Sequence, residues 1–352
     1  MNEHIIDLRS DTVTKPSPEM WEAFKSLNNS KIGDDVFKED PTVNALEEKA
    51  AKLMNKEAAL LVTSGTQGNL VSLLSSTTPG QEILLEAESH IFWYEVGGCA
   101  RIAGLTPRVY KTKKGFPRSD ELRKLIRVRN DDHQPWTTLL CIENTHNRHG
   151  GTVCSPDILS DLYKFTLENA LKFHMDGARI FNAAISLNQP VNKFSKSVDS
   201  LTFCLSKGLS CPIGSLVVGS KDFITKARKY RKMLGGGMRQ AGIIASMGLI
   251  ALESKWIKRL EEDHKNAQLL ADGLHGIPIP LKITIPESNI IFVEFPLNVN
   301  MNKLISSLED EGILCLSTNN KVRFVTHYGI TEEDIEDCID KISSVLSKGF
   351  NS

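Results

Sequence analysis

The sequence predicts an α/β protein with a large domain built on a mostly parallel β-sheet and a smaller α+β domain at the C-terminus. Three observations lead to this prediction. Short apolar runs recur through the first two thirds of the chain. Helix-patterned segments lie between several of these runs, as in βαβ crossovers. The length of 352 residues suits about two domains and a sizeable core.

The elements of the large domain follow in order along the chain. The first forty residues are rich in proline, glycine and paired acids, which predicts a long lead-in over a surface. A helix is predicted over 42–54, because Val43, Leu46, Ala50 and Leu53 fall at helical spacing. A glycine triplet at 235–237 precedes a helical pattern that ends at Leu252. The predicted strands are 58–62, 82–85, 137–142, 171–175, 201–205 and 215–218.

The C-terminal part of the chain has a different pattern. A long helix is predicted over 256–274, strands near 290–295 and 321–326, and a last helix over 332–346. We therefore predict a large domain over 1–254, which includes the lead-in, and a small domain over 255–352.

Composition excludes several classes of protein. Lysine plus arginine number 42 and aspartate plus glutamate 43, which argues against binding driven by nucleic-acid or membrane charge. The seven cysteines are odd in number and lack the spacing of a zinc or redox pair. No secretory signal opens the chain, so packed, reduced thiols in a cytoplasmic protein are expected. We predict no catalytic metal site and leave a structural cation open.

Polar residues follow several predicted strands, where an open α/β sheet binds its ligands. Gly65 and Thr66 open a helix, so their N–H groups suit a phosphate, although a simple N-cap explains the same pattern. Asp176 follows a strand and is either a turn-former or a ligand-binding carboxylate. Lys207 ends another strand and is either a solvated charge or a nucleophile. A phosphate cup, a buried carboxylate and a strand-end lysine together match what pyridoxal 5′-phosphate requires.

Seven ordered blocks resemble the threonine aldolase family of fold-type-I pyridoxal phosphate enzymes, within the β-eliminating lyases. The resemblance covers nearly the whole chain, from the Asp7-Leu8-Arg9-Ser10-Asp11 region onward. The blocks are Gly33-Asp34-Asp35-Val36, Glu39-Asp40-Pro41-Thr42, Ser64-Gly65-Thr66, Glu143-Asn144-Thr145-His146-Asn147, Asp176-Gly177-Ala178-Arg179, Leu205-Ser206-Lys207-Gly208 and Gly235-Gly236-Gly237-Met238-Arg239-Gln240.

The resemblance implies a role for each cofactor-binding residue. Lys207 corresponds to the Schiff-base lysine, and Asp176 to the partner of the pyridinium nitrogen. His90 corresponds to a histidine that stacks on the ring. The phosphate is expected to contact Gly65, Thr66 and, across a dimer interface, Arg239.

The same resemblance implies the substrate contacts and the reaction. Arg323 corresponds to the arginine that binds the amino-acid carboxylate, with Ser10 and Arg179 as helpers; Arg179 also faces the phenolic oxygen of the cofactor. His146 is expected beside the β-hydroxyl group of the substrate. Whether His90, His146 or a water held by one of them is the base stays open. A homo-oligomer that cleaves threonine or allo-threonine to glycine and acetaldehyde is expected.

Two departures from the family pattern affect substrate preference. Phe37-Lys38 stands where the family usually has Tyr-Gly, and Ser210-Cys211 stands where Gly-Ala is common. Three alternatives remain: another β-hydroxy-amino-acid aldolase or β-eliminating lyase, a cofactor-binding protein without turnover, and a sugar-modifying aminotransferase.

Overall fold

The computed structural model of the protein describes residues 4–347. Its strands, in chain order, are β1 (Ile6–Asp7), β2 (Ala58–Val62), β3 (Glu82–Glu86), β4 (Thr106–Tyr110), β5 (Thr137–Glu143), β6 (Lys172–Asp176), β7 (Ser200–Cys204), β8 (Ser215–Gly219), β9 (Lys282–Ile283), β10 (Ile290–Glu294), β11 (Ile313–Leu314), β12 (Leu316–Thr318) and β13 (Lys321–Val325).

Helices connect most of these strands, and two single 3₁₀ turns lie at Asp11–Val13 and Asn29–Lys31. The helices are α1 (Pro18–Lys25), α2 (Pro41–Leu53), α3 (Gly65–Ser76), α4 (His90–Trp93), α5 (Gly98–Arg101), α6 (Ser119–Arg123), α7 (Pro156–Glu168), α8 (Ile180–Ser186), α9 (Asn192–Ser195), α10 (Lys221–Met233), α11 (Gly242–Ala251), α12 (Ser254–Lys258), α13 (Leu260–His275), α14 (Met301–Asp310) and α15 (Glu332–Ser347).

The large sheet has the strand order β2-β8-β7-β6-β5-β3-β4. The pairs from β7 to β4 are parallel, whereas β8 runs antiparallel to both β7 and β2. The predicted mostly parallel α/β fold is confirmed. All six predicted strands are present, each within one residue of its predicted bounds.

Both faces of the large sheet are buried. In β3, Leu84 belongs to one apolar cluster, while its neighbours Ile83 and Leu85 belong to another. Successive side chains of a strand point to opposite faces, so helices cover the sheet on each side. This burial explains why the strands are continuous apolar runs and why their polar residues gather at the ends.

A second, antiparallel sheet with the order β12-β13-β10-β9 forms the C-terminal part. The N-terminal lead-in contributes to it, since β1 pairs in parallel with β11. Ile6 and Leu8 are fully buried in the apolar cluster of this part. The division at 254/255 stays a prediction, to which the structure adds that residues near the N-terminus pack with the C-terminal part.

Several elements differ from the sequence prediction, among them the short strands β1, β9, β11 and β12 and the helix α14, which were not predicted. The lead-in contains α1, which begins at Pro18 behind the N-cap Ser17. The edge strand β4 was not predicted. The predicted helix 256–274 is two helices, α12 and α13, that meet at Arg259. Within residues 4–347, no helix combines the length and the apolar character needed to cross a bilayer.

Candidate active site

A cavity of about 290 Å³ lies at the carboxyl ends of the parallel strands, where the C-terminal part of the chain meets the large sheet. β3, β5, β6 and β7 each carry a lining residue at or just beyond their last residue. Strands β12 and β13 supply the opposite wall. The lining residues are Ser10, Thr12, His90, Tyr94, Glu143, Asn147, Asp176, Ala178, Arg179, Lys207, Leu316 and Arg323.

Six of the ten site residues chosen from the sequence line this one cavity. They come from positions more than 300 residues apart, yet the fold brings them together. They are Ser10, His90, Asp176, Arg179, Lys207 and Arg323. The structure places the other four, Gly65, Thr66, His146 and Arg239, outside the set of lining residues.

Lys207 lies in a tight turn after β7. Its carbonyl oxygen accepts hydrogen bonds from Thr14 Oγ1 at 3.0 Å and from the N–H of Ser210 at 2.8 Å. The residue is half-buried. Its ammonium makes no ion pair with any carboxylate of the described residues. The backbone is therefore fixed while the amine faces the cavity.

Asp176 is buried and held by two donors. Its Oδ1 accepts from the N–H of Ala178 at 3.1 Å, and its Oδ2 accepts from Asn69 Nδ2 at 2.8 Å. A carboxylate has about four lone-pair sites, so acceptor capacity remains toward the cavity. This arrangement suits a protonated ring nitrogen.

A chain of hydrogen bonds beneath Asp176 fixes the orientation of Asn69. Asn69 Oδ1 lies 3.2 Å from His174 Nε2, and His174 Nδ1 lies 2.9 Å from Ser200 Oγ. Because Asn69 offers its oxygen, His174 donates from Nε2 and accepts at Nδ1. Burial lowers the pKa of His174 to about 4, so the ring is neutral at physiological pH.

His90 is held by two buried glutamates. Its Nδ1 lies 3.0 Å from Glu95 Oε1, and its backbone N–H donates to Glu143 Oε2 at 2.6 Å. Burial by itself lowers the pKa of His90, but the hydrogen bond to Glu95 and the charge of Asp176 outweigh it and the net pKa is raised. Burial also raises the pKa of Glu95. His90 and Glu95 therefore form a carboxylate–imidazole pair at the cavity wall.

Arg179 is a buried cation that forms a two-bond ion pair with Asp11. Its Nε donates to Asp11 Oδ2 and its Nη2 to Asp11 Oδ1, both at 2.7 Å. Burial alone raises the pKa of Asp11, yet the guanidinium holds it well below its usual range. The pair stays charged, which leaves Nη1 of Arg179 for a ligand.

Arg323 reaches the cavity from β13. Its Nη1 donates to Asn147 Oδ1 at 2.8 Å and its Nη2 to the carbonyl oxygen of Arg9 at 2.9 Å. Its Nε is buried without a hydrogen-bond partner among residues 4–347. A buried N–H of a cation without an acceptor is costly, so this atom fits an incoming carboxylate.

The predicted phosphate cup is the N-terminus of α3. Ser64 is its N-cap and accepts from the N–H of Gln67 at 3.1 Å. Gly65 and Thr66 follow, and their N–H groups have no acceptor inside the helix. A side chain at Gly65 has no room, because a Cβ there meets Cys204 Sγ at 2.9 Å.

Two further predicted residues, Arg239 and His146, do not line the cavity. Arg239 is 57% exposed at its side chain and pairs with Asp34 at 2.8 Å. His146 is fully buried behind the cavity, with its Nε2 3.4 Å from Glu86 Oε2. The loop of His146 still reaches the site through Asn147.

Sequence reasoning missed the residues that support the cavity. Asn69, Glu95 and Asp11 are buried polar residues inside helices or turns, so no strand-end position marked them. Glu143 and Asn147 stand in a quoted block, and their place directly after a strand was an available signal. Glu143 links the segment that begins at His90 to the loop that carries Asn147, since it accepts from the N–H of His90 and, at 2.9 Å, from the N–H of Asn147.

Both departures from the family pattern lie at unusual backbone angles. Lys38 has φ of 61° and Ser210 has φ of 62°. This left-handed region favours glycine. Lys38 is exposed, whereas Ser210 is buried and its Oγ has no hydrogen-bond partner among the described residues.

The fold and the cavity residues define the class of fold-type-I pyridoxal phosphate enzymes. Within that class the chain belongs to the beta-eliminating lyase family, whose model matches residues 7–296. It is 42% identical over 337 residues to the low-specificity L-threonine aldolase 1 of Arabidopsis thaliana, covering 94% of this chain and 93% of that protein. It is 40% identical over 332 residues to the low specificity L-threonine aldolase of Escherichia coli strain K12, covering 94% and 96%.

Solved structures show the same fold. A threonine aldolase of Leishmania major superposes with a TM-score of 0.83 at 18% identity, over 96% of this chain and 99% of that one. A serine palmitoyltransferase of Sphingomonas wittichii superposes with a TM-score of 0.75 at 16% identity, over 98% and 88%. The predicted fold, family and cofactor are confirmed.

Proposed function

We propose that this chain is a pyridoxal phosphate-dependent aldolase that cleaves L-threonine and L-allo-threonine to glycine and acetaldehyde. The observation that carries the proposal is one cavity that holds a lysine, a carboxylate with free acceptor capacity and a half-buried arginine whose buried Nε–H has no partner among residues 4–347. Relatives at 40% and 42% identity that cover almost the whole chain are named low-specificity L-threonine aldolases.

In this proposal the cofactor fits the residues present. Lys207 binds its aldehyde carbon, Asp176 accepts from its ring nitrogen, and Gly65 and Thr66 donate to its phosphate. When bound, the cofactor takes up the electron pair of the broken Cα–Cβ bond. Asp176 keeps the ring nitrogen protonated because Asn69 and Ala178 hold the carboxylate in place.

Arg323 binds the substrate carboxylate through its Nε and one terminal nitrogen. A guanidinium fork matches a carboxylate in two bonds and so fixes its plane. Asn147 and the carbonyl of Arg9 hold the guanidinium from the other side. Ser10 and Arg179 line the same wall. Fixing the carboxylate selects which bond at Cα is aligned for cleavage.

His90 moves the proton of the β-hydroxyl group. Its Nδ1 faces Glu95, so Nε2 is the atom that accepts the proton. Its raised pKa suits it to hold the proton and return it. In this proposal His146 supports the loop that carries Asn147 and does not contact the substrate.

We further propose a homo-oligomer in a reducing, cytoplasmic compartment. Arg239 is exposed, and Phe92, Trp93 and Val96 expose apolar surface on one segment beside the cavity residue Tyr94. Such surface favours contact with a second copy of the chain. In that dimer, Arg239 of one subunit would contact the cofactor phosphate of the other. All seven cysteines are buried free thiols, as a reducing compartment favours. Sedimentation velocity of the purified protein tests the oligomer.

The function is tested by acetaldehyde release from L-threonine and L-allo-threonine. The cofactor-loaded protein is expected to release it, and Lys207→Ala is expected to abolish turnover.

Arg323→Lys keeps the positive charge but loses the two-pronged guanidinium, so kcat/KM is expected to fall about 10- to 100-fold. No acetaldehyde from either substrate overturns the proposal. Parallel assays with phenylserine, serine and a keto acceptor distinguish the rival activities.

A further inference from the structure

A cluster of one carboxylate and two imidazoles lies behind the active-site cavity. Glu86 is the last residue of β3, and His146 and His149 lie on the loop after β5. His146 Nε2 is 3.4 Å from Glu86 Oε2, and His149 Nε2 is 3.4 Å from Glu86 Oε1. One ligand atom from each of the three lies within 4.8 Å of the others.

The unsatisfied groups of this cluster are its imidazole nitrogens. Both ring nitrogens of His146 and the Nε2 of His149 are buried without a hydrogen-bond partner among residues 4–347. His146 is fully buried, so its ring has no contact with bulk solvent. A buried polar atom without a partner costs about 1–3 kcal/mol and calls for a bound group.

Glu86 is fixed by the backbone around it. Its Oε2 accepts from the N–H of Glu88 at 2.5 Å, and its Oε1 accepts from the N–H of Thr112 at 3.1 Å. Such donors hold a metal-binding carboxylate in one orientation. Space for His146 depends on Gly115, where a Cβ would lie 2.5 Å from the ring.

We propose that Glu86, His146 and His149 bind one divalent transition-metal ion, with Zn²⁺ as the ion best suited to this donor set. Ligand atoms around a tetrahedral zinc at about 2.0–2.1 Å lie about 3.3–3.4 Å apart. Each oxygen of Glu86 lies 3.4 Å from the Nε2 of one histidine, so the carboxylate faces both imidazoles at that spacing. Two histidines and one carboxylate leave a fourth position for water or another ligand.

The ion has a route of entry. His149 also lines a second cavity of about 380 Å³, together with Arg148, Phe292 and residues of β12 and β13. This cavity shares Tyr94, Leu316 and Arg323 with the active-site cavity. The two cavities are therefore adjacent, and an ion in the second cavity lies beside His149.

The ion joins the end of β3 to the loop that carries Asn147. Because Asn147 accepts from Arg323, the metal orders the residues that hold the substrate carboxylate. The sequence alone predicts no metal site, since Glu86 lies 60 residues before His146 and only the sheet brings them together.

The test measures Zn²⁺ bound to the holoenzyme, by competition with a chromophoric chelator and by elemental analysis after gel filtration. Wild type is expected to bind about one Zn²⁺ per chain. His149→Gln is expected to raise the Kd at least about tenfold, because even the loss of an outer-shell partner of a metal ligand weakens binding about 10- to 100-fold. His149 is mostly buried, and glutamine is chosen because it keeps a polar side chain of similar length while it removes the imidazole nitrogen.

His133→Gln is the matched control, because His133 is an exposed histidine on a distant loop. Its Kd is expected to equal that of wild type. Replacement by Co²⁺ adds a second readout: the visible bands of a tetrahedral cobalt site are expected in wild type and absent in His149→Gln. The proposal is overturned if wild type binds no Zn²⁺, or if His149→Gln binds it as wild type does. Neither readout depends on aldolase activity, so the two proposals fail separately.

Discussion

Glu95 and His90 show how one buried acid sets the charge of a neighbouring base. The pKa of His90 is raised because Glu95 accepts its Nδ1–H, although burial acts in the opposite direction. Asn69 donates to both Glu95 and Asp176, so the two carboxylates share one amide. The charges at this wall of the cavity are thus set by residues that no motif identified.

Glu95→Gln tests this pair. The amide keeps the shape but removes the charge, so the pKa of His90 is expected to fall. The limb of the kcat/KM profile that reports His90 then moves to lower pH. Glu88→Gln is a control, since Glu88 is a partly buried glutamate of the same segment that pairs with Arg148. An unchanged profile in Glu95→Gln contradicts the role given to the pair.

Ser210 lowers the stability of the fold in two ways, through its backbone angle and through its buried side chain. It has φ of 62°, and its buried hydroxyl has no partner among the described residues. Ser210→Gly is expected to raise the free energy of unfolding by about 1–3 kcal/mol, because it removes both costs. Chemical denaturation of the holoenzyme measures the change.

Ser210→Ala separates the two contributions to that change. Alanine removes the hydroxyl but keeps a Cβ at positive φ, so its gain in stability is expected to be smaller than that of glycine. Equal effects of the two variants show that the backbone angle contributes nothing. A loss of stability in Ser210→Gly contradicts the prediction outright.

At the scale of elements, the position of α3 depends on its contact with β7. The Cβ of an alanine at position 65 would lie 2.9 Å from the Sγ atom of Cys204, which is the last residue of β7. Gly65→Ala is therefore expected to displace the helix N-terminus and weaken pyridoxal phosphate binding about tenfold or more. Equilibrium dialysis of the cofactor against the apoenzyme measures the loss.

A second substitution tests whether that loss is steric. Cys204→Ala removes the sulfur that the new methyl group meets, so the double variant is expected to recover most of the cofactor affinity. Cys204→Ala alone is the control for the effect of the cavity. If the double variant binds as weakly as Gly65→Ala, then lost backbone flexibility and not contact with Cys204 is the cause.

Some elements were predictable from sequence and others were not, for a physical reason. Buried central strands such as β5 are apolar runs, so hydrophobicity marks them. β4 is an edge strand with Pro107 and Arg108 in its middle, and it buries only Tyr110 fully. An edge strand needs no continuous apolar run, so its sequence carries little signal.

At the scale of the molecule, the site could be predicted only where residues follow strand ends or belong to ordered blocks. Lys207 and Asp176 met that condition, and they line the same cavity as Arg323, which only the family resemblance had assigned. Asp11 and Asn69 did not, because their function arises from contacts across more than 100 residues of chain. β1 shows the same limit, since its partner β11 is some 300 residues away.

The buried network under the cavity also makes the stability of the whole chain depend on pH. His174 has a pKa of about 4 in the folded protein against about 6.5 in an unfolded chain. Between these values the unfolded chain binds more protons, so the free energy of unfolding falls as the pH falls from 6.5 to 4. Above pH 6.5 both states are neutral at this residue and its contribution is constant.

His174→Gln is expected to flatten this dependence. The variant lowers stability at pH 7, because Ser200 and Asn69 lose a partner, but it loses less additional stability between pH 7 and pH 5 than wild type does. Urea denaturation at several pH values gives both slopes. His133→Gln removes an exposed histidine and is expected to keep the wild-type slope. A wild-type slope in His174→Gln means that other groups, such as His264 with its pKa of about 4, carry the dependence.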